Sequence, residues 1–224
     1  MVREKKRGLV LMQHGGTHAV VALALLLPVF GLSIVLIPIA LLFGLLHAAV
    51  DWVKVSAWIE GLFGDQSLAV FLVDQLVHLI CIGLIFLVVQ RWLPPPHVLE
   101  WKSYARNMVA LTGLLISVFA GSPVIGLLTN DLRAQLPASR GLPEAGKLIG
   151  MLERTLVYLM VLGGSASGVG FLIAAKSIFR FGRSEDEEMR KESEYIIIGT
   201  LASFAFALGL AFLAMKVMAW INSF

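Results

Sequence analysis

The sequence predicts an all-α fold, a polytopic transmembrane helix bundle with six or seven membrane segments in a single integral membrane domain. Of the 224 residues, 58% are hydrophobic and only 15% are charged, and the mean hydropathy is +0.85. A helix needs roughly 20 mostly apolar residues to cross about 30 Å of hydrocarbon. Several apolar stretches reach that length, which is more than a soluble core of this size requires.

Six candidate segments follow one another along the chain. They are residues 9–29, 33–55, 67–90, 107–128, 149–175 and 195–220. The first three form a part, residues 8–90, that carries paired His and Asp side chains. The C-terminal helices occupy residues 107–222.

The fifth segment contains a run of small residues at 163–168 that predicts a break. Lys and Arg collect in cytoplasmic loops, and the basic residues before position 8 place the N-terminus in the cytoplasm. An unbroken span at 149–175 would then leave the charged loop 176–194 outside. Glycines can turn or break a helix, so the sequence favours a broken or re-entrant pair near 147–181. In the alternative interpretation, the glycines permit close packing of one continuous helix.

The net charge of +3 and the pI of about 9.2 are explained by basic loops beside anionic lipid headgroups. The predicted partner is therefore the lipid bilayer and not nucleic acid, and a homo-oligomer remains open. The single cysteine, Cys81, excludes an intrachain disulfide and is interpreted as a small packing residue.

Three pairs of metal-competent side chains occur at i,i+4 spacing in the first three segments. The pairs are His14/His18, His47/Asp51 and Asp74/His78. This spacing places both members of a pair on one face of a helix. Ionisable groups are expensive inside a bilayer, and they usually mark a functional site there.

Helix geometry predicts that the three pairs meet. At a rise of 1.5 Å per residue, the first two pairs lie about 20 to 30 Å from a turn at Gly31, so an antiparallel hairpin brings them to nearly the same depth. The third pair lies about 12 to 18 Å into the next helix, measured from the same face. One cluster near the cytoplasmic face is therefore feasible. The weakest members are His14 and His18, because Gly15 and Gly16 disfavour a regular helix.

Four imidazoles and two carboxylates suit a divalent metal. Zinc is the first choice, manganese and iron are alternatives, and the set could hold one ion or two. The predicted metal ligands are His47, Asp51, Asp74 and His78, with His14 and His18 as additional candidates. In the competing interpretation, each pair is a hydrogen-bonded contact between packed helices.

Five short segments have the residues of known family motifs. Residues 47–54 contain H-x-x-x-D-x-x-K, and residues 74–78 contain D-Q-x-x-H. These segments, together with residues 146–154, 170–177 and 194–200, resemble the signatures of a bacterial domain-of-unknown-function family, DUF3307. The resemblance covers residues 14–203 and implies a multi-pass protein of the bacterial cytoplasmic (inner) membrane. Family members usually begin with an additional apolar helix bearing its own His and Asp, and this sequence starts after it.

A second polar group lies in the later half of the chain. Glu153 is a candidate acid or base, and Arg154 and Lys176 are candidates to hold an anionic substrate group. Alternatively, Glu153 pairs with Arg154 or Lys147, and Lys176 extends to the lipid headgroups.

The function predicted from these features is that of a metal-dependent membrane hydrolase acting on a lipid-linked or phosphorylated substrate. No nucleophile elbow, P-loop, H-E-x-x-H or dinucleotide-binding glycine pattern occurs in the sequence. Two other classes remain open. One is a divalent-cation or proton transporter that uses the same residues, and the other is a non-catalytic membrane partner or effector protein.

Overall fold

The computed structural model of the chain describes residues 2–54, 68–93, 101–136, 144–178 and 187–223, although the side chains of residues 2–7, 54, 177, 178, 188 and 189 are not described. These ranges are helical with short turns and contain no strand, which confirms the all-α prediction. The middle of the predicted charged loop, residues 179–186, lies outside them. The chain divides into two compact units, Met1–Trp101 and Lys102–Phe224.

The first unit consists of three long helices in its described part. They are α1 (Val2–Phe30), α2 (Leu36–Lys54) and α3 (Leu68–Trp92). Gly31 lies in the turn between α1 and α2 with a φ of +67°, a left-handed conformation that glycine adopts readily. The predicted turn at this glycine is confirmed.

Two glycines bring the backbones of α1 and α2 into close contact. A Cβ added to Gly15 would lie 2.6 Å from the carbonyl oxygen of Gly44 and 2.9 Å from the Cβ of Ala48, and one added to Gly44 would meet the carbonyl of Gly15 and the Cβ of Ala19. Small residues four positions apart therefore face each other on both helices, as is common where membrane helices pack. The expectation that Gly15 and Gly16 disturb the helix was wrong, since α1 is continuous through both.

We expect Gly44→Ala to separate α1 from α2, because the new methyl group has no room against the Gly15 carbonyl. Overpacking of this kind costs about 1–3 kcal/mol. The matched control is Gly16→Ala, since a Cβ on Gly16 meets nothing within 4 Å and alanine is the better helix former. Thermal unfolding in detergent should show a lower Tm for Gly44→Ala and an equal or higher Tm for Gly16→Ala. Equal Tm values for Gly44→Ala and the wild type would contradict the close contact.

The apolar core of the first unit lies at the end where α1 and α2 are joined. Leu36 and Ile39 of α2 pack with Ile85 and Val89 of α3, and the neighbouring residues of α1 are partly buried against them. The His and Asp pairs occupy the other half of these helices. The apolar end therefore holds the helices together, and the other end is left for polar side chains.

The second unit packs around a buried tyrosine. Its helices are α4 (Trp101–Leu115), a π-helix (Ile116–Ala120), α5 (Gly121–Leu128), α6 (Asn130–Arg133), α7 (Ala145–Leu162), α8 (Ala166–Ile178) and α9 (Glu187–Asn222). Tyr158 of α7 is fully buried with Phe204 and Ala207 of α9. Its hydroxyl donates to the carbonyl of Ala110 at 3.0 Å. The absence of a side chain at Gly113 leaves room for that hydroxyl.

The predicted break in the fifth segment is confirmed. Helix α7 ends at Leu162, and α8 begins at Ala166. Gly164 has a φ of +77°. The backbone N–H of Ser165 donates to the carbonyl of Met160 at 2.8 Å, and the backbone N–H of Gly164 donates to the carbonyl of Val161 at 3.1 Å. These two bonds form a Schellman motif, which satisfies the last carbonyls of α7.

Five helical stretches in the described ranges are long and apolar enough to cross a membrane. They are Gly8–Phe30, Leu36–Val53, Leu68–Trp92, Trp101–Leu128 and Arg190–Asn222, and Ala166–Lys176 is a shorter apolar helix. Many large apolar side chains are exposed, with Leu45 at 69% and Phe171 at 78%, a surface typical of contact with lipid. The chain is a multi-pass membrane protein, and the predicted count of six or seven segments was approximate. Its orientation stays a prediction.

Candidate metal centre

The three pairs predicted from the sequence come together in the first unit. Each helix contributes one pair from its half away from the apolar core. The pairs are His14/His18 from α1, His47/Asp51 from α2 and Asp74/His78 from α3, and all six side chains line one cavity. The depth argument therefore gave the correct juxtaposition, including for His14 and His18.

Three ligand atoms form a nearly regular triangle at the centre of the cluster. The Nε2 atoms of His14 and His47 are 3.2 Å apart, and they lie 3.5 Å and 3.4 Å from Oδ2 of Asp51. Ligands bound about 2.0–2.1 Å from a tetrahedral zinc ion are about 3.3 Å from one another. The two distances to Asp51 exceed the 2.7–2.9 Å of a charge-assisted hydrogen bond. The 3.2 Å contact between the two rings is short enough for a hydrogen bond, so the triangle has the spacing both of a metal-binding face and of a hydrogen-bonded pair of rings beside Asp51.

His18 extends this ligand set on the α1 side. Its ring stacks on that of His47 with centroids 3.6 Å apart and meets the ring of His14 edge-on at 4.7 Å. One ligand nitrogen from each of these three histidines lies within 4.8 Å of the others. His14, His18 and His47 therefore form one group of side chains close enough to hold an ion, and His47, Asp51 and His78 form a second.

The side chain of His78 is oriented by Asp74. The Nδ1 atom of His78 donates to the backbone carbonyl of Asp74 at 2.8 Å, and Oδ1 of Asp74 lies 3.7 Å from the same nitrogen. The amide of Gln75 in turn donates to Oδ2 of Asp74 at 3.0 Å. The Nε2 atom of His78 faces Oδ1 of Asp51 at 3.6 Å. The hydrogen bond to the backbone carbonyl of Asp74 fixes the His78 ring, as backbone carbonyls beside metal-binding histidines do, while Oδ1 of the Asp74 carboxylate lies beyond hydrogen-bond distance of that ring.

Four imidazole rings lie side by side in the cluster. The rings of His14, His18, His47 and His78 form a continuous chain of neighbours with centroids 3.6 to 4.7 Å apart. Imidazole nitrogens are common metal ligands in proteins, so this row of rings concentrates donor atoms in one place.

The cavity leaves space beside the ligands. Its volume is about 310 Å³, and its wall also includes the apolar Phe43 and Ile82, the amide of Gln75 and the thiol of Cys81. Cys81 lies in the cavity wall on the same side of α3 as His78. Part of the cavity is open to the outside, since the side chain of His14 is 53% exposed.

The three predicted catalytic residues lie in the second unit, where two of them pair with each other. The ammonium of Lys176 contacts both oxygens of Glu153, at 2.7 and 2.8 Å, and links α7 to α8. The proposed pairing of Glu153 with Lys147 was wrong, because Lys147 pairs with Glu144 at 3.2 Å. The acid–base role of Glu153 and the anion-holding role of Lys176 stay predictions.

Arg154 supports the π-helix. It is only 2% exposed, and its guanidinium donates to the carbonyls of Ser117 and Val118 at 2.7 and 2.9 Å. It also donates to the hydroxyls of Ser122 and Ser203 at 2.6 and 3.0 Å. A π-helix displaces carbonyls from their regular partners, and Arg154 supplies donors to two of them. Its predicted role as an anion holder stays a prediction, although these contacts already use most of its donors.

The sequence interpretation missed the residues that position the cluster. Gly15 and Gly44 allow α1 and α2 to approach, which brings His14 near His47. The sequence feature that could have predicted this close approach is the i,i+4 spacing of small residues, Gly15 with Ala19 and Gly44 with Ala48. Gln75 was also missed, and only its place beside Asp74 in the D-Q-x-x-H segment pointed to it.

Comparison with known proteins identifies a family for the first unit. The model of a family described as "Protein of unknown function (DUF3307)" matches residues 1–104, which include all six cluster residues. The match ends before the similar segments at 146–154, 170–177 and 194–200, so their resemblance stays a prediction. No curated protein and no solved structure matches the chain.

Proposed function

We propose, from the geometry of the His and Asp side chains in the first unit, that this protein is a metal-dependent membrane hydrolase. The ion would be zinc, and manganese or iron would suit the same donors. The substrate would carry a phosphate or be linked to a lipid, and it would be bound at the cytoplasmic face.

The observation that carries the proposal is the triangle formed by His14 Nε2, His47 Nε2 and Asp51 Oδ2. Its edges of 3.2, 3.4 and 3.5 Å agree with the spacing of about 3.3 Å between ligands of a tetrahedral zinc ion. The donors come from helices that are joined at their apolar ends, so the site is supported by the packing of α1 and α2. Two nitrogens and one carboxylate oxygen form a donor set found at catalytic zinc ions.

The cavity favours a catalytic site over a purely structural one. Structural zinc sites are closed by four protein ligands, whereas catalytic sites keep a position for water or substrate. Here about 310 Å³ of space adjoins the ligands. The apolar side chains of Phe43 and Ile82 in its wall suit an acyl or prenyl part of a substrate, and the ligands suit its polar part.

Hydrolysis in this cavity would need side chains mainly to hold the ion, because the ion itself would activate the water. A divalent ion lowers the pKa of a bound water and neutralises charge on a phosphoryl or carbonyl oxygen. Bound here, the ion would supply an activated water for hydrolysis of a phosphate ester, which yields phosphate and an alcohol. The side chains of His14, His47 and Asp51 would fix the position of the ion, and Asp74 would hold the ring of His78 in place.

The test is a metal-dependent assay of the detergent-purified protein. The protein is stripped with chelator, reloaded with Zn²⁺ or Mn²⁺, and incubated with p-nitrophenyl phosphate, bis-p-nitrophenyl phosphate and phosphatidic acid in mixed micelles. We expect hydrolysis of at least one substrate that chelation removes, that metal restores and that Asp51→Asn lacks. Activity that survives chelation would contradict the proposal. A protein that holds metal but hydrolyses none of these substrates would also contradict the hydrolase assignment, though not metal binding.

A further inference from the structure

We infer that the cluster binds two divalent ions bridged by the carboxylate of Asp51, an inference that rests on the metal-dependent function proposed above. The two oxygens of this carboxylate face different donors. Oδ2 lies 3.5 and 3.4 Å from the Nε2 atoms of His14 and His47, whereas Oδ1 lies 3.6 Å from Nε2 of His78. A carboxylate that presents its oxygens to two separate sets of ligands has the arrangement of a bridge between two ions.

The tautomer of His78 favours a cation on this second side. A carbonyl oxygen only accepts hydrogen bonds, so the 2.8 Å contact with the carbonyl of Asp74 places a proton on Nδ1. In the neutral ring, Nε2 then carries a lone pair. This atom is buried and has no hydrogen-bond partner among the residues that the structure describes. A buried polar atom left in this way is costly.

A proton on Nε2 does not explain the contact with Asp51 as well as a metal ion does. Donation from Nε2 of His78 to Oδ1 of Asp51 would require about 2.7–3.2 Å between the two atoms. The observed distance is 3.6 Å. Without a proton, two lone pairs face each other and repel. A divalent ion between them would satisfy both atoms.

The number of donors also exceeds the needs of one ion. Zinc at catalytic sites takes three protein ligands and keeps a fourth position open, and His14, His47 and Oδ2 of Asp51 already supply three. His78 and Oδ1 of Asp51 remain for a second ion, as in the two-metal sites of phosphatases and nucleases. With only these two protein ligands, the second ion would keep open positions for water or for phosphate oxygens of the substrate. Asp74 is a positioning residue in this assignment, because it contacts Nδ1 of His78.

The experiment counts the ions and measures their coupling. Wild-type protein, His78→Ala, His78→Gln and the control Thr17→Ala are loaded with Zn²⁺ and dialysed, and bound metal per chain is measured by elemental mass spectrometry. Thr17 is an exposed residue of α1 whose hydroxyl donates to the carbonyl of Gln13. We expect two ions in the wild type and in Thr17→Ala, and one in both His78 variants. Electron paramagnetic resonance of Mn²⁺-loaded wild type should show an exchange-coupled pair, and the His78 variants an isolated ion.

Two results separate this inference from the proposed function. One ion in the wild type, with the uncoupled Mn²⁺ spectrum, would overturn the two-ion inference and leave a single metal centre in place. A wild type that binds no Zn²⁺ or Mn²⁺ would overturn both. The wild-type spectrum decides the question even if a His78 variant fails to fold.

Discussion

Replacing Asp51 with asparagine should lower the affinity of the protein for Zn²⁺ by more than about 100-fold, because removing even an outer-shell partner of a metal ligand costs about 10–100-fold. Asparagine has nearly the same shape, so the packing of α2 should not change. What is lost is the negative charge at the two oxygens that face His14, His47 and His78. Competition with a chromophoric chelator measures the affinity.

The control for this substitution is Asp131→Asn. Asp131 is an exposed acidic residue in the short helix α6 of the second unit. The variant should bind Zn²⁺ like the wild type, and circular dichroism should show the same helix content in all three proteins. Wild-type affinity in Asp51→Asn would mean that the triangle is a structural contact and not a metal-binding face.

Replacing Arg154 with methionine should destabilise the protein by about 3 kcal/mol. Methionine fills much of the space, but it removes the guanidinium donors to the carbonyls of Ser117 and Val118, of which Val118 keeps the hydroxyl of Ser122 at 3.3 Å. Each buried acceptor that loses its donor costs about 1–3 kcal/mol. The substitution also removes the desolvation cost of the buried guanidinium charge, which offsets part of that loss. Thermal unfolding in detergent should show a clearly lower Tm.

Two comparisons test the cause of this loss. Arg154→Lys should not restore stability, because an ammonium is a point donor and cannot span the two carbonyls and two hydroxyls that the guanidinium reaches. Arg190→Met is the control, since Arg190 is 68% exposed and makes a long ion pair with Glu194. It should change the Tm little. An Arg154→Met protein as stable as the wild type would show that the π-helix does not depend on this guanidinium.

Much of this arrangement could be predicted because it follows from spacing and length. The i,i+4 rule placed each pair on one helix face, and the rise per residue placed His14 opposite His47 once a turn at Gly31 was assumed. The charge rule, applied to the run of small residues at 163–168, gave the break between α7 and α8. These predictions need only the geometry of a helix and the preference of charged loops for one side of the membrane.

The parts that were not predicted depend on contacts between helices. Gly15 was expected to weaken α1, at a cost of about 1 kcal/mol relative to alanine, but close packing against Gly44 outweighs this local preference. The π-helix and its dependence on Arg154 join residues more than 30 positions apart, and no spacing rule connects them. Asp74 was predicted as a ligand, and only the side-chain geometry shows that it lies on the Nδ1 side of His78.

The most direct test of the metal centre is elemental mass spectrometry of the detergent-purified protein, with Asp51→Asn and Thr17→Ala prepared in parallel. We predict at least one equivalent of zinc, manganese or iron per chain in the wild type and in Thr17→Ala, and a large loss of that metal in Asp51→Asn. A wild-type protein that is empty as purified, and that stays empty after incubation with each of these ions, would contradict a metal centre at the His and Asp cluster.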